Sequence, residues 1–319
     1  MSGGELATMG LGMKNLSVVE YLSQLPEGEK IYYRANPGNA GDALIAAGAF
    51  ILFRKLELDV EIIDLESFDA TDKIVLYAGG GNLVGIYPEA REFFRKFHMQ
   101  AKTIILLPHT VKDNEDLLAE LGSNAVLFAR ELVTFKFLKE NAINAKVYID
   151  HDLAFNIEPK DFLDMKSPSI LSIIAKKLLY KTTGNKQEFL KLPRPKMMFD
   201  NTLFEFRGAL LGSKVGNFFR EDVERALSEV PAGNADLSVK YEYGTRNDAI
   251  TDYTTSRLMK YVNRFDEIRT DRLHICIASA LMGKKVSFYP NSYFKCRAVY
   301  EYSLKEPYPN VTFFEKSDK

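Results

Sequence analysis

The first structural unit of the chain begins with Ile31-Tyr32-Tyr33-Arg34-Ala35-Asn36-Pro37-Gly38-Asn39-Ala40-Gly41-Asp42, and an apolar segment follows from Ala43 to Leu56. Residues 31–34 predict a strand, and the apolar segment after the glycine-containing turn predicts a helix. A strand, a tight turn and a helix in this order are typical of the start of an α/β unit. The turn lacks G-x-G-x-x-G spacing, so the dinucleotide fingerprint is missing.

The same alternation continues through the first half of the chain. Further strands are predicted at 60–64, 73–77, 103–107, 125–131 and 146–149, with a helix at 132–141. Each strand ends in polar or glycine-rich residues, and the carboxyl ends of parallel strands share one edge of a sheet, where ligands bind. The residues predicted at that edge are Asn39, Asp42, Gly79, Gly80, Gly81, Asn82, His109, Arg130, Asp150 and Asp152.

Two of these positions have specific interpretations. The three adjacent glycines 79–81 give backbone that a ligand can approach closely, and a plain turn rarely needs three. Asp42 lies at the start of its helix, where a carboxylate is favoured electrostatically. It is interpreted either as a helix cap or as a base or a ligand to sugar hydroxyls.

A second α/β domain is predicted in the last third of the chain. Strands are expected at 216–222, 238–243 and 285–290, and a helix at 251–262. Residues 311–314 are expected to form either a last strand or a strap back onto the other domain. The chain has 319 residues, enough for two domains with separate cores. The predicted division is an N-terminal α/β lobe at 1–160, a linker or insertion at 161–212 and a C-terminal α/β lobe at 213–319.

Composition excludes several classes of protein. Hydrophobic residues make up 46% and charged residues 27%, and a net charge of -1 gives no basic field for nucleic acid. Cys276 and Cys296 lack metal-type spacing, so free thiols in a reducing compartment are expected and no metal site is predicted. Residues 1–14 lack the pattern of a signal peptide, and no apolar run can span a bilayer, so the cytoplasm is the expected location.

An apolar and basic segment at 169–196 interrupts the α/β alternation. Between Met165 and Lys196 the chain has eight lysines and arginines and one acidic residue, Glu188. One interpretation is peripheral contact with an anionic membrane surface at the inner face of the cytoplasmic membrane. The other is a linker with one packed helix and a solvated basic face, and sequence alone favours it because one short segment binds weakly.

The stretch Thr270-Asp271-Arg272-Leu273-His274 precedes an apolar run that predicts a buried helix ended by Gly283. Thr270 or Asp271 is the expected N-cap. Free N–H groups at a helix start favour an anion, and Arg272 can donate two hydrogen bonds to a phosphate or carboxylate. His274 can supply a proton near neutral pH. Composition alone favours a plainer interpretation, a capped helix with a surface arginine and a core histidine.

Several stretches, in order, resemble one family, the polysaccharide pyruvyl transferases. The matching stretches are Gly38-Asn39-Ala40-Gly41-Asp42, Gly79-Gly80-Gly81-Asn82-Leu83, Leu107-Pro108-His109-Thr110, Ala129-Arg130-Glu131, Asp150-His151-Asp152-Leu153-Ala154-Phe155, Phe219-Arg220-Glu221-Asp222, Thr270-Asp271-Arg272-Leu273-His274 and Asn291-Ser292-Tyr293-Phe294-Lys295. The similarity extends from about residue 31 to residue 304 and leaves out the stretch between Phe162 and Gly212.

The resemblance implies two Rossmann-like lobes facing each other across a cleft, as in GT-B glycosyltransferases. It implies transfer of pyruvyl from phosphoenolpyruvate, a co-substrate and not a bound cofactor, to a free or lipid-linked sugar, giving a cyclic ketal and phosphate. The donor side is the C-terminal lobe and the acceptor side is the N-terminal lobe. The family's donor-site arginine and its Arg-Leu-His element carry over to Arg130, Arg272, Leu273 and His274. The positions at the helix start and the strand ends add Thr270 to the donor side, and Asn39, Gly41, Gly80, Gly81, Asn82, His109 and Asp150 as acceptor or cleft residues.

The chemistry needs an acid and a base. We expect His274 to protonate the methylene carbon of phosphoenolpyruvate, and Asp42 to accept the proton of the attacking sugar hydroxyl. No metal or redox cofactor is required. Two positions depart from the family pattern: His109 replaces the glutamine of many relatives, and Ile275 replaces a frequent glycine. Either change can alter the substrate.

Two other functions fit parts of the sequence. A glycosyltransferase of the same architecture would use Arg220, Arg272 and the helix start to hold the diphosphate of a nucleotide sugar. A non-enzymatic scaffold at a membrane surface would depend on the basic segment and would tolerate loss of Arg272 and His274.

Overall fold

The computed structural model describes residues 15–185, 188–189, 192–245 and 247–315. Residues 1–14, which lack a signal-peptide pattern, lie outside the described residues, as do Lys186 and Lys191 of the basic segment. The chain divides into two compact units. The first contains the residues through Arg34, Leu52–Asp152 and Ala298–Ser303, and the second contains Ala35–Ile51, Leu153–Arg297 and the residues from Leu304 onward.

A parallel sheet forms the centre of the first unit. Its strands are β1 (Ile31–Arg34), β2 (Val60–Ile62), β3 (Ile74–Tyr77), β4 (Gly80–Leu83), β5 (Thr103–Val111), β6 (Ala125–Ala129) and β7 (Lys146–Ile149). Helices that lie wholly within this unit include Val18–Leu22, Glu89–Phe97, Glu115–Glu120 and Leu132–Asn141. The strand order is β2-β1-β3-β5-β6-β7, and β4 pairs with β5. Strands β3 and β6 are buried along their whole length, as expected for a parallel sheet that is covered on both faces.

The strand β5 is longer than predicted. It was expected to end at Leu107, but it continues through Pro108 to Val111. The added residues pair with Gly80–Leu83, a glycine-rich segment for which the sequence predicted no strand. Proline cannot donate a ladder hydrogen bond, and the register of β5 against β6 shifts between Leu106 and His109, where Pro108 lies.

The second unit contains a smaller parallel sheet with the order β11-β10-β9-β8. Its strands are β8 (Val215–Phe218), β9 (Glu267–Thr270), β10 (Lys285–Phe288) and β11 (Val311–Phe313). Among the described residues from 153 onward, the helices are the 3-10 helix Leu153–Asn156, Pro159–Leu163, Ile170–Thr182, Pro195–Leu211, Leu237–Lys240, Asp248–Val262, Leu273–Leu281, Lys295–Val299 and the π-helix Tyr300–Leu304. The β8 strand ends four residues before the predicted end at residue 222.

The prediction of a strand at 238–243 is wrong. Leu237–Lys240 is a helix, and Leu237 and Tyr241 are fully buried while Val239 is exposed. In a strand, Val239 would share a face with Leu237 and Tyr241, so its exposure between two buried positions fits a helix and not a strand. The alternation of apolar and charged residues in Val239-Lys240-Tyr241-Glu242-Tyr243 therefore suggested a strand that does not form.

The helix Ala40–Lys55 is buried around its circumference near its start. Ala43, Leu44 and Ala47 are fully buried. A Cβ on Gly48 would lie 1.8 Å from the carbonyl oxygen of Leu153, so only glycine permits this close backbone approach. The helix is thereby fixed to the rest of the second unit by its first turns.

The α/β class with parallel sheets is confirmed. The facing arrangement of two GT-B-like lobes stays a prediction, as do the predicted lobe bounds; the compact units group residues 35–51 and 161–212 with the C-terminal residues. None of the helices in the described ranges combines the length and hydrophobicity needed to cross a membrane.

Candidate functional site

The loop before the helix Ala40–Lys55 holds the carboxyl group of Asp42 in place. Its Oδ2 accepts the backbone N–H of Asn39 at 3.0 Å, and its Oδ1 accepts the side-chain amide of Asn36 at 3.3 Å. The side chain of Asn39 accepts the N–H of Gly41 at 2.7 Å. A Cβ on Gly38 would lie 1.8 Å from Asp42 Oδ2, so the loop requires glycine there. Asp42 therefore organises the loop that surrounds it.

His274 lies against the same turn. It belongs to the first turn of the helix Leu273–Leu281, and a Cβ on Gly41 would lie 2.7 Å from its Nδ1. Burial raises the pKa of Asp42, and the neighbouring His274 opposes that rise. The structure thus brings together, within one compact unit, the two residues predicted to be catalytic.

Lys295 is a third ionisable group near Asp42. Burial lowers the pKa of its ammonium group, and Glu224 opposes that change. Lys295 also favours the ionised form of Asp42 and so lowers the pKa of that carboxyl group. We call these three residues the Asp42–His274–Lys295 cluster. A carboxylate, an imidazole and an ammonium can together bind an anion, supply a proton and accept one.

Arg272 is held by two carboxylates. Its Nε donates to Asp236 at 3.0 Å, a second nitrogen also donates to Asp236, and a third lies 2.8 Å from Asp222. The Arg272 and Asp236 side chains are buried, whereas that of Asp222 is 33% exposed. The predicted donor-binding arginine is therefore already ion-paired, and Asp222 is the more accessible of its two partners.

The ion pairs continue from Asp222 to Lys295. Arg220 donates to Asp222 at 2.8 Å and to Glu224 at 2.7 Å. Glu224 Oε2 also accepts from Lys295 and, at 3.1 Å, from Asn291. The chain of alternating charges runs from Asp236 through Arg272 and Arg220 to Lys295. Removal of one member would leave a buried charge without its partner, which is costly.

Asp271 lies next to this chain of charges. Its Oδ1 accepts the backbone N–H of Arg220 at 2.8 Å. Its Oδ2 is buried and has no hydrogen-bond partner among the described residues. Burial raises the pKa of Asp271 to about 6, although Arg220 and Arg272 act in the opposite direction. Asp271 is therefore a carboxyl group that can gain or lose a proton near neutral pH.

The prediction that Thr270 or Asp271 is the N-cap of the helix Leu273–Leu281 is wrong. The helix begins at Leu273, and its N-cap residue is Arg272, whose side chain makes no capping hydrogen bond. Thr270 is the last residue of β9; its hydroxyl donates to the carbonyl of Phe218 and accepts the N–H of Arg272 at 3.0 Å. Thr270 shapes the turn, and the side chain of Leu273 is buried.

Arg130 belongs to the first unit and is fully buried. Its Nε donates to the hydroxyl of Thr110 at 2.8 Å, and another nitrogen donates to Asp152 at 2.7 Å. These partners come from the ends of three neighbouring strands, β5, β6 and β7. Arg130 therefore links the ends of three strands at the sheet edge where the sequence predicted ligand binding.

His109 is also buried in the first unit. Its Nε2 accepts the backbone N–H groups of Asn82 and Leu83 at 3.0 and 3.1 Å. A nitrogen that accepts carries no proton, so Nδ1 is the donor in the neutral ring, and it lies 3.1 Å from the carbonyl oxygen of Ala78. His109 therefore fixes the backbone of the glycine-rich segment.

The remaining predicted residues of the first unit have structural contacts. Asp150 accepts the N–H of Val18 at 2.7 Å and that of His151 at 2.8 Å. Gly80 has a φ of 137°, which only glycine adopts readily, and Gly81 is half-buried beside it. The Asn82 amide donates to the hydroxyl of Tyr77 at 2.9 Å.

Sequence reasoning missed several charged residues of the second unit. Glu224, Asp236 and Lys295 were not proposed as site residues, yet they complete the ion pairs around Arg220 and Arg272. The sequence singled out Lys295 only as the end of the matching stretch Asn291-Ser292-Tyr293-Phe294-Lys295. The pKa of Glu242 is raised, first by partial desolvation and second by the charge of Asp42, although the residue as a whole is exposed. No spacing in the sequence links these positions.

A family model and a curated relative indicate one family, and a solved structure shares the fold. The model of the family described as "Polysaccharide pyruvyl transferase" matches residues 39–293. A curated protein of Bacillus subtilis (strain 168), named "Putative pyruvyl transferase EpsO", is 23% identical over 315 residues, which cover 93% of this chain and 92% of that protein. A solved structure of an uncharacterised protein from Klebsiella pneumoniae subsp. pneumoniae NTUH-K2044 is 26% identical, with a TM-score of 0.68 and coverage of 98% of this chain and 99% of that chain.

Proposed function

The chain belongs to the polysaccharide pyruvyl transferase family, and from that membership we propose that it transfers pyruvyl from phosphoenolpyruvate to a sugar of its polysaccharide acceptor. The product is a cyclic ketal in which two hydroxyl groups of one sugar are bonded to the former C2 of the donor, and phosphate is released. The observation that carries the proposal is the Asp42–His274–Lys295 cluster, because it combines an acid, a base and a cation within one compact unit.

The first step is protonation of the donor. His274 gives a proton to the methylene carbon of phosphoenolpyruvate, which becomes the methyl group of the ketal. The C2 carbon then carries positive character, and the phosphate oxygen still bonded to it stabilises that charge. Gly41 allows the imidazole to approach the loop closely, and this contact fixes the ring in one place. Lys295 opposes the negative charge of the donor.

The second step is addition of a sugar hydroxyl to C2. Asp42 accepts the hydroxyl proton, which its partly buried carboxyl group and raised pKa favour. A second hydroxyl of the same sugar displaces phosphate, and its proton leaves with the phosphate or returns to His274. Of the two hydroxyl protons, one replaces the proton that His274 gave to the methyl group and the other leaves with phosphate, so the protons balance.

Phosphoenolpyruvate can bind the guanidinium of Arg272 only if it displaces one of the two carboxylates that contact it. Because Asp222 is more exposed than Asp236, we propose that an anionic group of phosphoenolpyruvate replaces Asp222 on the guanidinium. The start of the helix Leu273–Leu281 is the positive end of the helix dipole, which favours the same anion. Thr270 and Leu273 act through the backbone of that turn. A donor-binding role for Arg130 stays a prediction.

On the acceptor side, Asn39, Gly41, Gly80, Gly81 and Asn82 stay predicted sugar-binding positions. His109 and Asp150 are expected to act through the backbone that they hold, since their hydrogen bonds go to main-chain groups. The family match does not favour the nucleotide-sugar alternative.

The test combines binding with isotope transfer. Phosphoenolpyruvate, UDP, CMP and GDP are each added in a thermal-shift assay, because a ligand of the folded state raises the melting temperature. Turnover with a panel of sugar acceptors is then run in D₂O and followed by phosphate release and mass spectrometry. We expect a shift with phosphoenolpyruvate and one deuterium in the product methyl group.

His274→Ala should lose turnover by at least about a hundredfold, the lower range for a general acid. It should still bind phosphoenolpyruvate. Equal turnover in this variant would exclude His274 as the acid. A shift with a nucleotide alone, and phosphoenolpyruvate left intact with every acceptor, would replace this proposal with a glycosyltransferase.

A further inference from the structure

Exposed apolar side chains cluster on two helices of the second unit. Among the described residues fifteen large hydrophobic side chains are exposed, and seven of them lie on the helices Ile170–Thr182 and Pro195–Leu211. These seven are Leu171, Ile174, Leu178, Leu179, Phe199, Leu203 and Phe206. The two helices contact each other, and we call them the basic helix pair. Scattered surface hydrophobic residues are ordinary, but a concentration of this kind usually marks an interaction site.

The exposed side chains of the first helix form one stripe. Leu171, Ile174 and Leu178 are spaced three and four residues apart, which places them on one face. Ile173 points away from that stripe and is buried, so the helix is anchored by its other side. Leu171 is 79% exposed and Leu178 is 63% exposed, so the stripe faces solvent.

The second helix repeats this arrangement. Phe199, Leu203 and Phe206 are spaced four and three residues apart and are all exposed, the two phenylalanines by 61% and 62%. Met198 and Asn201 lie on other faces of the helix and are buried, and the Asn201 amide donates to the carbonyl of Lys240 at 2.8 Å. Two stripes of large apolar side chains, each on an anchored helix, therefore face solvent.

The charge of this region is opposite to that of the rest of the chain. Residues 169–212 contain eight lysines and arginines and three acidic residues, a net charge of +5, whereas the remainder has 34 basic and 40 acidic residues, a net charge of -6. Lys176, Lys181, Lys196 and Arg207 are exposed on the two helices. Long cationic side chains beside an apolar stripe are typical of helices that lie in a membrane interface.

We propose that the basic helix pair docks the protein onto an anionic lipid bilayer, with the apolar stripes between the headgroups and the lysines against lipid phosphates. A second copy of this chain is a poorer occupant, because pairing through this surface would bring two regions of charge +5 together. Docking needs no spanning helix, since the helices lie parallel to the surface. It would place a sugar transferase where lipid-linked sugars are found. The inference does not depend on the donor.

Vesicle sedimentation tests the proposal with the full-length protein. The probes are vesicles of phosphatidylcholine alone and vesicles of phosphatidylcholine with phosphatidylglycerol, at low and high salt. We expect binding only to the anionic vesicles, weakened by salt because the Debye length falls. Leu171→Ser combined with Leu178→Ser, Phe199→Ser combined with Phe206→Ser, and Lys181→Glu combined with Lys196→Glu should each raise the lipid concentration for half-binding at least tenfold.

The matched control is Ile143→Ser, because Ile143 is 76% exposed on the first unit and lies outside the helix pair. It should bind vesicles like the parent protein. All variants should retain the parent melting temperature and turnover of a water-soluble acceptor. Equal binding of the stripe variants and the parent, or no binding to anionic vesicles, would overturn the proposal. So would a parent dimer in sedimentation velocity that Leu171→Ser combined with Leu178→Ser converts to monomer.

Discussion

The imidazole of His274 occupies the space that a side chain at position 41 would need: a Cβ on Gly41 would lie 2.7 Å from Nδ1. This contact joins the first turn of the helix Ala40–Lys55 to the first turn of the helix Leu273–Leu281. It keeps the imidazole beside Asp42, whose ionisation it influences. The glycine is therefore a condition for the proposed acid and base to lie side by side.

Gly41→Ala should impair turnover more than stability. The added methyl group must displace the imidazole, so we expect at least a tenfold loss of the turnover number in phosphate release. Alanine is favoured over glycine inside a helix by about 1 kcal/mol, which limits the loss of folding free energy. Urea unfolding of the same variant separates the two effects.

A double-mutant cycle identifies the cause. If the clash with His274 is responsible, Gly41→Ala should cost less unfolding free energy in the His274→Ala background than in the parent. An equal cost in both backgrounds would mean that the methyl group disturbs something other than the imidazole.

Arg272→Lys should destabilise the second unit. The guanidinium reaches Asp236 and Asp222 at once, and an ammonium cannot reproduce that geometry. One buried carboxylate would lose its partner, so we expect a loss of about 3 kcal/mol in the free energy of unfolding. The matched control is Arg269→Lys, whose ion pair with Glu267 is 46% exposed on the arginine side. There the loss should stay below about 1 kcal/mol, and losses of similar size in the two variants would contradict this account.

Much of the first unit could be predicted from local patterns. Strand β7 and the helix Leu132–Asn141 have the predicted bounds, because apolar runs there are bounded by clear polar signals. The length of β5 could not be predicted, since it depends on pairing with Gly80–Leu83, which lies more than twenty residues earlier in sequence. The helix Leu237–Lys240 was not predicted, because valine and tyrosine in this segment favour a strand. Burial of Tyr241 in the folded protein outweighs that preference.

The candidate site could likewise be predicted only in part. Asp42 and His274 could be proposed from their positions after glycine-rich or strand-end turns, and the structure brings them together. The partners of Arg272 could not, because Asp236 and Asp222 reach it through folding of a segment with no regular elements. Whether an arginine is free or paired is set by tertiary contacts, which the identity of the residue does not reveal.

His109→Leu should destabilise the first unit more than His109→Gln. Leucine would leave the N–H groups of Asn82 and Leu83 and the carbonyl of Ala78 without their partner, at a cost of about 1–3 kcal/mol for each buried group. Glutamine supplies both an acceptor and a donor, so we expect a loss of only about 1 kcal/mol. Guanidinium unfolding measures both, and equal losses would show that the hydrogen bonds are unimportant.

Asp271→Asn should change how stability depends on pH. Burial raises the pKa of Asp271 from the model-compound value of 3.8 to about 6, so the folded state holds this proton where the unfolded state has released it. Stability therefore falls as pH rises from about 4 to about 6, and the full penalty of the ionised carboxyl group persists above that. A shift of about two pH units corresponds to about 3 kcal/mol. Asparagine does not titrate, so relative to the parent the variant should gain unfolding free energy by about that amount between pH 4 and pH 7.

The gain is measured by urea unfolding of both proteins at each pH, because the difference cancels every other titrating group. Asp266→Asn is the control, since the Asp266 side chain is 72% exposed and its ion pair with Lys214 is long, at 3.7 Å. Its difference from the parent should stay nearly constant with pH. A constant difference for Asp271→Asn as well would show that the buried carboxyl group ionises normally, and that the unpaired Oδ2 finds a partner in water.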